Sequence, residues 1–203
     1  MACECFRKEI DLLTMEDPDI VFKEYLEFGL HSYPKDLRRE VIAHVNQLAG
    51  QVDAAFLVYG ICNSLEGIVE ELDVPTVTIA ADDCVGALLT PEEYAKERKR
   101  CAGTMFHIPF VAQMGRDYFV KELASKMPNY EELGVDADWF LDIMFDGYSR
   151  CLFIDTGIGE RGLYESMSEE FARQRGLSHE SREGTLEMLR DALRRTKELA
   201  SGQ

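Results

Sequence analysis

Two short apolar runs, Ala54–Tyr59 (AAFLVY) and Thr76–Ala80 (TVTIA), constrain this chain more than any other feature. Each is too short for an independent helix and rich in β-branched or aromatic side chains. Gly50 and Asp53 precede the first and Pro75 the second, so both read as buried strands. Helical periodicity surrounds them. Leu37, Val41, Val45 and Leu48 place a helix over Asp36–Gln47, and Ser64 is positioned to cap a helix over Ser64–Leu72. Further on, Thr90-Pro91-Glu92-Glu93 has the chemistry of a helix start.

The alternation continues. Strands are predicted at Gly103–Ile108 and Cys151–Ile154, and helices at Val111–Lys126, Asn129–Tyr148, Tyr164–Arg175 and Thr185–Leu199. Tyr25–Leu30 is a further candidate strand, and residues 1–3 read as the last residues of another. Strands alternating with helices imply an α/β, Rossmann-like layered fold whose mainly parallel sheet is covered by helices. With 203 residues and no linker or repeat, a single domain over residues 1–203 is expected.

Charge excludes some functions. A net charge of -16 disfavours nucleic acid and anionic membrane, which reward clustered Lys and Arg. No stretch approaches the roughly 18 apolar residues of a membrane span. The start MACECFRKEI lacks the pattern of a signal peptide, so a cytoplasmic protein is expected. In that compartment its six cysteines are expected to be reduced.

In a parallel sheet, ligands bind outside the carboxyl ends of the strands. Right-handed crossovers bring those ends to one edge. Cys62 follows one predicted strand and Cys84 the next, His31 follows a third, and Cys3 ends the first. Thiolates and imidazoles gathered there have the donor chemistry of a zinc site, and thiolates alone that of an iron–sulfur cluster. The competing reading is that Cys62 and Cys84 are small apolar packing residues. No CxxC pair decides between them; Cys5 is a spare donor.

Other residues invite plainer accounts. Asp82-Asp83 suits a helix cap better than support for a metal ligand. The Asp155-Thr156-Gly157-Ile158-Gly159 loop only weakly resembles a phosphate cradle. His107 and Cys151 read as core, His44 as exposed and His179 as part of a polar loop. Cys101 follows a basic run that suits an exposed helix end.

The segments ACECFRKEI at Ala2, GLHSYPKDL at Gly29, YGICNSLEGI at Tyr59, ADDCVGALL at Ala81, AGTMFHIPF at Ala102 and LFIDTGIG at Leu152 resemble the domain of unknown function 1638 family of anaerobic bacteria and methanogenic archaea. The resemblance implies a cysteine after the first strand, a histidine–proline turn, a cysteine in a glycine-rich turn and a cysteine following an aspartate. These fall on Cys3, His31, Cys62 and Cys84. The turn after Cys62 has fewer glycines than that pattern. The resemblance also implies an association with corrinoid-dependent methyl transfer.

The leading expectation is therefore a metal site of Cys3, His31, Cys62 and Cys84, holding zinc or, alternatively, an iron–sulfur cluster. It would serve a corrinoid protein or a methyltransferase. The alternative is a metal-free accessory module that docks on the same kind of partner. A nucleotide- or methyl-donor-binding enzyme using the Asp155 loop is a third expectation.

Overall fold

The computed structural model describes residues 1–60 and 65–202. Cys62 lies outside the described residues. The chain divides into two compact units, one formed by Met1–Tyr94 with Thr185–Gln203, the other by Ala95–Gly184. Both are built from parallel strands and helices, as the alternation of short apolar runs and helical periods requires.

In the first unit the strands are β1 (Ala2–Cys3), β2 (Tyr25–Leu26), β3 (Ala55–Leu57) and β4 (Thr76–Thr78). β1 pairs with β2 and β3 with β4, all parallel, with Ala2 opposite Tyr25 and Ala55 opposite Thr76. A single parallel bridge between Ala2 and Val58 joins the pairs. Val58 N–H donates to the Met1 carbonyl at 2.8 Å and Cys3 N–H to the Val58 carbonyl at 3.5 Å. The spatial order is thus β2-β1-β3-β4. The order reverses between β1 and β3, the position where an open α/β sheet leaves a crevice at its carboxyl edge.

The helices of this unit are α1 (Arg7–Leu13), α2 (Pro34–Gln47), α3 (Cys84–Leu89) and the closing α8 (Glu187–Ala200). The predicted apolar stripe of α2 is buried at Leu37, Val41 and Val45. Leu189 and Ala192 of α8 are fully buried, and α8 packs on β3 and β4. The α8 helix therefore completes the first unit although it comes last in sequence.

The second unit has the sheet order β5-β6-β7, all parallel: β5 (Thr104–His107), β6 (Arg150–Asp155) and β7 (Ser178–Glu183). Its helices are α5 (Pro109–Lys126), α6 (Ala137–Met144) and α7 (Arg161–Gln174). The remaining helix, α4 (Pro91–Arg100), carries the boundary between the units. All six residues of β6 are buried, as expected of a central parallel strand. Phe171, Leu141, Phe145 and Cys151 form a core cluster beside it.

The structure differs from the sequence expectation at several elements. Of the helix expected over Ser64–Leu72, the cap Ser64 lies outside the described residues, and the described part holds only a 3-10 turn, Ile68–Glu71; Gly67, at φ 68°, sits in the left-handed region that interrupts a helix. The Tyr25–Leu30 strand stops after Leu26 and passes into a 3-10 turn, Phe28–Ser32. The Asn129–Tyr148 helix is reduced to α6, because the Asp136 side chain accepts the Asp138 N–H at 2.7 Å and starts the helix there. β7 was expected to be a loop. Its sequence, SHESRE, lacks an apolar alternation because it lies at a sheet edge with its residues exposed or half-buried. Among the described residues no helix is long and apolar enough to cross a membrane.

Candidate thiol site at the carboxyl edge of the first sheet

Three thiols stand at the carboxyl edge of the first unit's sheet. Cys3 is the last residue of β1, Cys5 lies in the 3-10 turn Glu4–Phe6 that follows, and Cys84 opens α3 after β4. Cys3 and Cys5 are buried, at 4% and 2% exposure, whereas Cys84 is half-buried. The Cys5 S–H points at the Cys84 Sγ, 3.8 Å away, across 79 residues of sequence. Cys3, two residues earlier, is the other thiol neighbour of Cys5.

This arrangement separates the thiols electrostatically. The hydrogen bond from Cys5 lowers the Cys3 pKa below its ordinary value. Cys5 is raised well above its own, first by its bond to Cys3, then by its bond to Cys84 and by burial. Cys3 is therefore the first of this pair to ionise, and Cys5 holds its proton.

The geometry depends on backbone placement. Gly60, after β3, lies so close to the Asp82-Asp83 turn that an added Cβ would stand 2.6 Å from the Asp83 Cα. Only glycine permits that approach, and it sets the end of β3 against the start of α3. Asp83 then fixes α3: its Oδ1 accepts the Gly86 N–H at 2.9 Å and its Oδ2 accepts the Tyr94 hydroxyl at 2.7 Å. The expected capping role of Asp83 is the observed one, and it orients Cys84 at the first turn. On the other side, Glu4 Oε1 accepts the Phe28 N–H at 2.6 Å and ties the turn after β2 to the turn after β1.

Tyr59 adds a group that the sequence reading overlooked. Its ring is buried at 6% exposure, and its hydroxyl has no hydrogen-bond partner among the described residues. Its pKa is raised chiefly by burial, then by the charges of Cys3, Cys5, Cys84 and Glu4. The phenol therefore keeps its proton beside the thiols. A tyrosine ending an apolar strand just before a glycine was the available signal.

His31 lies in the turn after β2, exposed. Its Nδ1 bonds the Phe28 carbonyl and its ring packs on Phe28 with centroids 4.4 Å apart. Among the described residues, no three His, Cys, Asp or Glu side chains form a group that could hold a metal ion.

The family described as "Protein of unknown function (DUF1638)" matches residues 25–193. The chain belongs to that family. His31, Tyr59, Cys62 and Cys84 of this DUF1638 chain fall inside the matched span, and Cys3 and Cys5 precede it. No curated protein and no solved structure matches the chain.

In the second unit the Asp155 loop is closed by its own aspartate, whose Oδ1 accepts the Gly157 N–H at 2.9 Å. His107, Cys151 and His179 meet at Ser168. Its Oγ lies 3.1 Å from His107 Nδ1, 3.1 Å from His179 Nε2 and 3.4 Å from Cys151 Sγ. Burial pushes the Cys151 thiol up to about 11 and His107 down to about 4. Cys151 is core, as its position predicts, and so is His107, but its Nε2 has no partner among the described residues. His179, expected to lie in a loop, belongs to β7 and shares this knot. His44 is half-buried rather than simply exposed, its Nδ1 2.5 Å from Glu24.

Proposed function

We propose that this DUF1638 chain is a metal-binding protein whose thiols at the carboxyl edge of the first sheet hold a transition-metal ion. The observation that carries the reading is the 3.8 Å separation of Cys5 and Cys84 at the carboxyl edge of the sheet. Thiolates at two corners of a tetrahedral zinc site, each about 2.3 Å from the metal, stand about 3.8 Å apart. Cys5 and Cys84 therefore fit two corners without backbone movement. The further corners of the proposal are filled from Cys3, Cys62 and His31, and His31 is otherwise a neighbouring acid or base. Zinc with an open position would stabilise a substrate thiolate for methyl transfer; an iron–sulfur cluster would instead supply electrons. A corrinoid protein or a methyltransferase is the partner this chemistry calls for.

The protein's own contribution is to hold the thiols and exclude water. Gly60 and Asp83 set the spacing, and the buried Tyr59 hydroxyl would donate to a thiolate or to an exchangeable ligand. Elemental analysis of anaerobically purified protein checks the proposal. About one equivalent of zinc, or an iron–sulfur spectrum, is expected, and Cys5→Ser with Cys84→Ser abolishes it. Less than about one-tenth equivalent, also after zinc and iron are offered to refolded protein, overturns the metal and leaves the metal-free docking module.

A further inference from the structure

We propose that Cys5 and Cys84 form a thiol–disulfide exchange site in which Cys84 attacks a small disulfide and Cys5 resolves it. The site uses two thiols of the proposed metal centre but needs no metal. It stands on the separation of the two sulfurs and on their unequal access to solvent.

Cys84 is the accessible member, and Cys5, which is buried, is within 3.8 Å of it. A protein disulfide brings its sulfurs to about 2.05 Å, a closure well within side-chain rotation at one partner. The chemistry balances as follows. The Cys84 thiolate attacks a low-molecular-weight disulfide R–S–S–R, forming Cys84–S–S–R and releasing RS⁻. Cys5 sulfur then attacks the Cys84 sulfur, and its proton leaves with the departing thiolate as a second RSH. Two protein thiols are oxidised and one small disulfide is reduced to two thiols.

Gly60 and Asp83 hold Cys84 opposite Cys5, so the exchange pair is set by the fold although its members are 79 residues apart.

The test uses metal-free full-length protein titrated with oxidised glutathione, followed by mass spectrometry and peptide mapping. One disulfide is expected, joining Cys5 to Cys84. In Cys5→Ser a mixed disulfide with glutathione accumulates at Cys84. No protein disulfide in the wild type, or one that maps to another pair including Cys62, overturns the proposal. The wild-type map decides the pairing even where a variant fails to fold. Protein that takes up zinc but never forms this bond sinks the exchange site alone. Protein that forms the bond but takes up no metal sinks the metal centre alone.

Discussion

The two units bring cysteine together with other ionisable or hydrogen-bonding groups beside parallel strands, with different results. In the first unit the thiols stand past the strand ends, one of them half-buried, next to a phenol whose hydroxyl is unpartnered among the described residues. In the second, Cys151 lies within β6 at 0% exposure, and His107 and His179 close on the same Ser168 hydroxyl. One arrangement leaves sulfur available to a ligand or an oxidant. The other uses sulfur and imidazole as packing groups that share one serine hydroxyl, with His107 Nε2 unpartnered among the described residues. Residue type alone therefore does not mark a candidate site; its position along the strand does.

The sharpest way to break this contrast is through His107. Its folded pKa lies near 4, against an ordinary value of 6.5. Between those values the unfolded chain binds a proton that the folded protein refuses. Its stability term is therefore complete above about pH 6.5 and shrinks as pH falls towards 4, by about 3 kcal/mol in all. Urea unfolding between pH 4 and 7 is expected to show this slope in the wild type and to lose it in His107→Gln. An unchanged slope in the variant would mean that the knot is not sealed, and the distinction between the units would weaken.

Ser168→Ala tests the same knot from its centre. Removing the hydroxyl leaves the buried His107 Nδ1 without its serine and loosens the contacts of Cys151 and His179. A loss of about 1–3 kcal/mol is expected in chemical unfolding, with zinc uptake and disulfide formation unaffected. A variant as stable as the wild type would show that the serine is incidental.

The smallest stability effect is expected at the other site. Cys84→Ser alters a half-buried sulfur that accepts one long contact, so the unfolding midpoint should move by less than about 1 kcal/mol. Metal uptake and glutathione-driven oxidation should nonetheless disappear. If Cys84→Ser destabilises as much as Ser168→Ala, the first-unit thiol is packing material too, and the comparison collapses.

Read in one dimension, the chain already declares its class. Short apolar runs between helical periods give the α/β layering, and the stripe Leu37, Val41, Val45 is buried as its spacing requires. The family follows from the same residues, with a match over 25–193. The Asp83 cap is equally legible, because an aspartate before a helix answers its free N–H groups locally. Non-local facts are not written that way. The sequence cannot announce that Cys5 rather than Cys3 meets Cys84, because the turn after β1 is a 3-10 turn and not a continued strand. Nor can it announce that a polar edge strand, SHESRE, places His179 on Ser168. Periodicity records which side of an element faces the core; which residues meet across 79 positions depends on strand order and on one close approach at Gly60.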